Sequence, residues 1–189
     1  MKKRNDMKLL TLIRHAKSDW RDCSVPDIKR PLNPRGLNDA PLMGNIIRER
    51  GFRFDRMYTS PAKRCRDTAS LIAENAELPI KQIKEEKGLY TFDQNDLYER
   101  VLGFHNKHRS IALVAHNPAI TDLLNRLCDE NIPNMPTCAV AVIRLDTRFW
   151  AELPYCTKEI AYYDYPKNYR FLVGRENGDS YQANLHQIQ

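Results

Sequence analysis

Three short segments of the sequence carry side chains that suit the chemistry of a phosphate group. They are Arg14-His15, Ser60-Pro61 with Arg64, and His116-Asn117-Pro118. The guanidinium group of an arginine can donate two parallel hydrogen bonds to phosphate oxygens, and the N–H groups at the start of a helix attract anions. Together the segments offer two histidines, two arginines and two helix starts. They therefore predict a site for a doubly charged tetrahedral anion, with a phosphoryl group as the candidate.

Each of these segments follows a stretch that is typical of a strand. Residues 8–14 and 54–58 indicate short strands, and residues 111–115 form a wholly apolar run, as in a strand buried on both faces of a parallel sheet. The carboxyl ends of parallel strands lie at one edge of an α/β sheet, and ligands bind there. We therefore expect the three segments to converge at that edge.

Helical patterns alternate with these strands. Pro41 is tolerated only within a first helical turn, so the first regular helix is expected to begin near Asn38 and to stop at Gly51. Further helices are predicted from Ser60-Pro61 to about Asn75, over 93–107, and from Asn117-Pro118 onward, with weaker strands at 80–83, 137–145 and 159–163. The alternation predicts an α/β fold of three layers, α/β/α, around a mostly parallel central sheet.

The stretch 15–36 has turn residues and no periodicity, and long loops in compact domains are often functional. Lys17 and Arg30 are candidate cations at the cleft, where Asp27 could orient Arg30. Ser18 of the loop and Asn117 are further candidates for substrate binding. Solvation is the alternative for the loop residues. The segment 18–33 is long enough for closure over a ligand to be a hypothesis.

Charge and length narrow the classes of protein. The chain has 189 residues, and 30 Lys+Arg against 24 Asp+Glu give a net charge of +6, which suits nucleic acid, an anionic membrane surface or an anionic substrate. No apolar run approaches the ~20 residues of a membrane helix. The apolar stretch 9–13 is too short for a signal peptide, which favours the cytoplasm. One domain over residues 1–174 is expected, with a polar tail at 175–189.

Cysteine and histidine patterns give no sign of a metal. The five cysteines are odd in number and form no C-x-x-C pair, and no histidine pair has metal-ligand spacing with carboxylate support. The sequence therefore predicts reduced thiols and no metal site.

Taken in order, the motifs resemble a known family. They are Leu12-Ile-Arg14-His15-Ala-Lys-Ser18, Arg30-Pro-Leu32 with Gly36, Ser60-Pro-x-x-Arg64 with Thr68-Ala69, and Val114-Ala-His116-Asn-Pro118. The sequence over about 7–145 is similar to the histidine phosphatase (phosphoglycerate-mutase-like) superfamily, and within it to the small SixA-type phosphohistidine phosphatases. The resemblance implies a phosphoglycerate-mutase-like fold.

The resemblance also implies roles for the candidate residues. His15 would be the nucleophile, phosphorylated transiently on one ring nitrogen; Arg14 and Arg64 would hold the phosphoryl oxygens, and His116 would donate to the same group. Neighbouring guanidinium charges lower the pKa of a histidine and keep it neutral and nucleophilic. Because phosphoryl transfer depends mostly on positioning and fixed positive charge, no cofactor is expected.

One expected group has no clear match. Larger family members use an acidic residue to protonate the leaving oxygen, and the corresponding stretch here offers only Glu85 or Glu86. When a phosphohistidine is cleaved, the leaving group is an imidazole that can already be protonated. It therefore needs a proton-donating acid less than an alkoxide leaving group does. We therefore predict a phosphohydrolase that favours phosphohistidine or other good leaving groups.

Several alternatives stay open at this point. The substrate could be a phosphoserine or phosphothreonine protein or a small phosphorylated metabolite, and the chain could bind a phospho-ligand without catalysis. The tyrosines and cations of residues 162–171 could stack on single-stranded nucleic acid, although covering a sheet edge is the commoner role. The expected partner is a phosphorylated protein or small substrate, with neither nucleic acid nor a membrane. The sequence does not determine the oligomeric state.

Overall fold

A computed structural model describes residues 7–169 of the chain. Its strands are β1 (Lys8–Arg14), β2 (Arg56–Thr59), β3 (Ile83–Glu85), β4 (Ser110–Ala115), β5 (Val140–Leu145) and β6 (Lys158–Asp164). Its α-helices are α1 (Pro34–Glu49), α2 (Lys63–Asn75), α3 (Gln94–Leu102) and α4 (Ala119–Cys128). Short 3-10 helices lie at Asp27–Lys29, Ile80–Gln82, Lys87–Leu89, Trp150–Glu152 and Pro166–Tyr169.

The strands form one sheet in the order β3-β2-β4-β1-β5-β6. β1 pairs with β4, β4 with β2, and β2 with β3, all in parallel. β5 and β6 add an antiparallel edge next to β1. The prediction of a mostly parallel central sheet is confirmed.

Helices cover both faces of this sheet. Successive side chains of β1 point to opposite faces: Leu12 packs in a cluster that includes residues of α3 and α4, and Ile13 packs in a second cluster with residues of α1 and α2. Both side chains are fully buried. The result is the predicted three-layer α/β/α arrangement.

Helix α1 begins earlier than predicted. Asn33 caps it by accepting a hydrogen bond from the backbone N–H of Gly36 at 2.9 Å, and Pro34 is the first helical residue. Pro41 therefore lies inside the helix, and the expected start near Asn38 was wrong. Because proline has no N–H, the carbonyl of Leu37 loses its helical hydrogen-bond partner there.

Several other boundaries also differ from those predicted. Helix α2 starts at Lys63 after Ala62; the hydroxyl of Ser60 accepts from the backbone N–H of Ala62 at 3.3 Å and also contacts His116 at 2.8 Å, but it caps no residue of the helix. Residues 80–82 form a 3-10 turn before β3, and Gly103 ends α3 well before residue 107. β5 begins at Val140 because residues 137–139 form a turn, in which Cys138 adopts a positive φ of 62°.

Two predicted features concern the chain termini and membranes. The polar tail at 175–189 and the last two residues of the aromatic-basic stretch, Arg170 and Phe171, lie outside the described residues.

Within residues 7–169, none of the helices has the length and apolar character needed to cross a membrane.

Gly44 lets α1 approach α2 closely, and its substitution gives a test of the packing. A Cβ at this position would lie 2.8 Å from both the Cβ of Asn75 and the carbonyl oxygen of Ile72. We expect Gly44→Ala to lower the free energy of unfolding by about 1–2 kcal/mol, because overpacking outweighs the gain in helix propensity. Urea denaturation measures the change.

Gly88→Ala is the matched control, since a Cβ at position 88 meets no atom within 4 Å. Equal unfolding free energies for Gly44→Ala and Gly88→Ala would contradict this account of the α1–α2 contact.

Candidate active site

The carboxyl ends of β1, β2 and β4 meet around one pocket of about 380 Å³. The ring centroids of His15 and His116, which follow β1 and β4, lie 5.3 Å apart. The pocket is lined by Arg14, His15, Lys17, Ser18, Trp20, Asp27, Arg64, Phe92, His116, Asn117 and Thr137. The three segments therefore come together as expected from the topology.

His15 presents one ring nitrogen without a proton. Its Nδ1 lies 2.8 Å from the carbonyl oxygen of Ala16, which can only accept a hydrogen bond. Nδ1 therefore carries the proton, and Nε2 keeps its lone pair. Burial lowers the pKa of His15 to about 4, and the charges of Arg64 and Arg14 add to this effect. Burial thus lowers the pKa of His15 more than the guanidinium charges do, although the prediction from the sequence rested on those charges.

His116 has the opposite tautomer. Its Nδ1 lies 3.1 Å from Nη2 of Arg64, which can only donate, so Nδ1 accepts and Nε2 donates to the hydroxyl of Ser60 at 2.8 Å. The residue is 1% exposed, and burial, with the His15 and Arg64 charges, lowers its pKa to about 3. The resemblance implies that His116 donates a hydrogen bond to the phosphoryl group. In this structure its Nε2–H is directed to Ser60 instead.

Asp27 fixes Arg64 at the edge of the pocket. Nη1 of Arg64 donates to the Asp27 backbone carbonyl at 2.6 Å, and Nη2 donates to its carboxylate at 2.9 Å. The hydroxyl of Tyr90 donates to the same carboxylate at 2.8 Å. Partial burial raises the pKa of Asp27, but these hydrogen bonds and the nearby arginine charges outweigh it and lower the pKa. The carboxylate is therefore ionised and holds Arg64 in place.

Arg14 and Asn117 are tied to the loop before β5. Nη1 of Arg14 donates to the carbonyl of Met135 at 2.5 Å and to Oδ1 of Asn134 at 3.1 Å. Nδ2 of Asn117 donates to the same Asn134 oxygen at 2.6 Å. The buried Nε of Arg14 has no hydrogen-bond partner among residues 7–169, so this group retains donor capacity.

The candidates in the long loop are divided by the structure. Lys17 is exposed and Ser18 is buried, and both line the pocket. Arg30 does not line it: its guanidinium carbon lies 3.6 Å from the ring centroid of Trp20, and its Nε lies 3.6 Å from Asp27. The expected pairing of Asp27 with Arg30 exists, but Asp27 makes closer contacts with Arg64.

Neither candidate for the missing acid reaches the pocket. Glu85 is exposed and pairs with Arg66 at 3.5 Å, and Glu86 pairs with Arg100 at 2.6 Å. The carboxylate that lines the pocket belongs to Asp27. Because an ionised carboxylate accepts hydrogen bonds and donates none, Asp27 is not a proton donor in this arrangement.

Sequence reasoning missed four residues at the pocket. Trp20, Phe92 and Thr137 line it, and Tyr90 supports it through Asp27. None of them belongs to the motifs that drew attention to the site. For Trp20, the sequence did offer a signal, because it lies only two residues after the candidate Ser18. Within the part of the chain that the structure describes, no group of three or more His, Cys, Asp or Glu side chains could hold a metal ion.

Comparison with known proteins gives a sequence match over the first half of the chain. Residues 10–89 match the histidine phosphatase superfamily (branch 1), as the resemblance predicted. A phosphoglycerate mutase of Schizosaccharomyces pombe is 35% identical over 82 residues, covering 42% of this chain and 39% of the mutase. An uncharacterised protein of Mycobacterium leprae is 25% identical over 167 residues, covering 82% of this chain and 100% of that protein. The chain thus spans 39% and 32% of the first two mutases that it matches.

Solved structures share the fold over most of the chain. The protein histidine phosphatase SixA in complex with tungstate superposes with a TM-score of 0.71 at 22% identity, covering 85% of this chain and 98% of that one. A SixA-type structure from Agrobacterium tumefaciens gives a TM-score of 0.69 at 24% identity, covering 83% and 97%. The predicted phosphoglycerate-mutase-like fold is confirmed.

The hydrogen bonds of the two histidines give a testable prediction. We expect His15 to carry its proton on Nδ1 and His116 on Nε2, and both rings to stay neutral between pH 8 and pH 6, since their pKa values lie at about 4 and about 3. Long-range ¹H–¹⁵N correlation spectra distinguish the tautomers and report protonation. Titration of either ring with a midpoint near pH 6.5 would show that it is not buried as described.

Proposed function

Because residues 10–89 match the histidine phosphatase superfamily and the chain folds like SixA proteins, we propose that it is a phosphatase acting through His15. The observation that carries this proposal is the free Nε2 of His15. The hydrogen bond of Nδ1 to the Ala16 carbonyl fixes the tautomer, and a pKa of about 4 keeps the ring neutral at physiological pH. A neutral imidazole nitrogen in a pocket rich in cations suits attack on phosphorus.

The proposed reaction has two steps. Nε2 of His15 attacks the phosphorus atom, the bond from phosphorus to the leaving group breaks, and the leaving group takes the electron pair. A water molecule then attacks the phosphohistidine, and the N–P electron pair returns to Nε2 as inorganic phosphate leaves. The proton from this water goes to the phosphate or to solvent.

Fixed positive charge supports the transferring phosphoryl group in this proposal. Arg14 and Arg64 line the pocket; Nη1 of Arg14 is fixed by Met135, and both Nη1 and Nη2 of Arg64 are fixed by Asp27. Charge on the equatorial oxygens of a loose transition state is stabilised most by donors that are already in position. The reaction so described needs no metal ion and no cofactor.

The pocket favours a substrate with a good leaving group. Asp27, the carboxylate that lines it, is ionised and held by Arg64 and Tyr90, and Glu85 and Glu86 pair with arginines elsewhere. An alkoxide leaving group would lack a proton donor among these side chains, whereas the imidazole of phosphohistidine can leave already protonated. We therefore assign a phosphohistidine, on a protein or a small molecule, as the preferred substrate.

Substitution of His15 tests the proposed activity. We expect His15→Ala to lower kcat for phosphohistidine peptide and p-nitrophenyl phosphate by about a thousandfold or more, because the nucleophile is lost. His105→Ala is the control, since His105 is exposed and lies outside the pocket. Steady-state release of inorganic phosphate measures both. Phosphate binding by the wild-type protein without turnover of either compound would favour a phospho-ligand binder instead.

The substrate preference is tested separately with the wild-type protein. We expect kcat/KM for phosphohistidine peptide to exceed that for phosphoserine peptide and for sugar phosphates, because none of Asp27, Glu85 and Glu86 is a carboxylic acid placed to protonate an alkoxide. Comparable values for all three would remove the argument from the missing acid while leaving His15 as the nucleophile.

The support that Asp27 gives to Arg64 generates a further expectation. Replacing Asp27 by Asn removes the charge that fixes the guanidinium, and hydrogen bonds between charged groups contribute about 1.5–3 kcal/mol. We expect kcat/KM to fall about tenfold to a hundredfold in Asp27→Asn. Asp22→Asn is the matched control, since Asp22 is exposed in the same loop and bonds only to Ser24 among the residues described. Equal activities in the two variants would show that Arg64 needs no such support.

A further inference from the structure

Two of the large apolar side chains that the fold leaves exposed lie at the pocket. Trp20 is 61% exposed and Phe92 is 54% exposed, and both line the pocket that contains His15. The other large apolar side chains with high exposure in residues 7–169, among them Phe149 and Tyr155, do not line it. Exposed aromatic surface is thus found beside the cations of this pocket.

Trp20 is held in place by polar contacts. Its indole Nε1 donates to the hydroxyl of Ser18 at 3.0 Å, and the guanidinium of Arg30 lies 3.6 Å from the ring centroid on one face. The backbone N–H of Asp19 donates to the carbonyl of Pro31 at 2.9 Å, which fixes the strand-like segment that carries the tryptophan. Arg30 covers one face of the indole and leaves the other available to a ligand.

Phe92 is fixed by the start of helix α3. The carboxylate of Asp93 accepts a hydrogen bond from the N–H of Asn95 at 2.8 Å, and the hydroxyl of Thr91 accepts one from the N–H of Asp93 at 3.1 Å. The Phe92 ring lies 5.7 Å from the ring of His116, measured between centroids. The backbone is therefore held next to Phe92, and the side chain lines the pocket beside His116.

A pocket that combines cations with two exposed aromatic rings suits one class of ligand. Aromatic rings prefer offset or edge-to-face contact with other flat rings, and such pairs are favourable beyond the area that they bury. Extended alkyl chains gain no comparable contact. Resting on the proposed function, we propose that Trp20 and Phe92 determine specificity by contacting a planar aromatic group that carries the phosphoryl group.

Binding of two phosphonates tests this role without catalysis. Phenylphosphonate and methylphosphonate carry the same anionic group, differ in the ring, and are not hydrolysed. We expect the wild-type protein to bind phenylphosphonate about threefold to tenfold more tightly than methylphosphonate, as measured by isothermal titration calorimetry. The preference should fall to below about twofold in Trp20→Leu and in Phe92→Leu, with methylphosphonate affinity unchanged.

The controls separate a local effect from misfolding. Phe149→Leu removes an aromatic ring of 48% exposure away from the pocket and should keep the preference. Since Trp20 and Phe92 are more than half exposed, their leucine variants should keep the wild-type midpoint in urea. In turnover, the same two variants should lower kcat/KM for p-nitrophenyl phosphate about threefold to tenfold and change kcat/KM for acetyl phosphate, which has a good leaving group but no ring, by less than about twofold.

The outcomes distinguish this inference from the proposed function. Equal binding of the two phosphonates by the wild-type protein, or an unchanged preference in both leucine variants, would overturn the role of Trp20 and Phe92 while leaving the phosphatase proposal standing. Loss of turnover for acetyl phosphate and p-nitrophenyl phosphate alike would assign both residues to general site structure and also overturn it. Failure of the wild-type protein to bind either phosphonate or to release phosphate would count against the proposed function itself.

Discussion

The parallel register of β2, β4 and β1 is the constraint on which the site depends. Arg14 of β1 pairs with Ala115 of β4, so the next residue of each strand, His15 and His116, leaves the sheet at the same level. Thr59 of β2 pairs with Val114, which places Ser60 beside this pair. A slip of one residue in either pairing would reverse which face each side chain occupies and separate the two rings.

Burial then determines the protonation state of the two histidines. His116 is buried and His15 is half-buried at the pocket, both close to guanidinium groups; partial desolvation and these charges disfavour a charged imidazole, and their pKa values fall to about 4 for His15 and about 3 for His116. Their hydrogen bonds are complementary: the carbonyl of Ala16 requires a proton on Nδ1 of His15, and Arg64 requires a lone pair on Nδ1 of His116. Neutral rings and permanently charged arginines can therefore coexist within one small pocket.

Asp27 links this electrostatic arrangement to the long loop after β1. By holding Arg64 and accepting from Tyr90, its carboxylate connects the loop, α2 and the segment before α3. The same loop positions Trp20 over Arg30, so the aromatic side of the pocket depends on the segment that orients its cations. The cations and Trp20 of the pocket are therefore held by the same loop.

Much of the fold followed from local sequence pattern. The apolar run before His116 predicted a central parallel strand, because only a strand buried on both faces tolerates such a sequence. Convergence of Arg14, His15, Arg64 and His116 followed from the rule that parallel strands end at one edge. The start of α1 was misplaced because Pro41 signals a helix boundary locally, whereas the Asn33 cap starts the helix at Pro34, so that it contains Pro41.

Long-range contacts decided the rest. The sequence alone identified the residue types of a phosphate site and the strands that carry them, since composition and periodicity are local properties. Tertiary structure directed Asp27 to Arg64, placed Arg30 beneath Trp20, turned Glu85 and Glu86 to arginines outside the pocket, and gave Ser60 a second partner in His116. These pairings join residues distant in the chain, and which charge meets which partner depends on distances that only the packed layers fix.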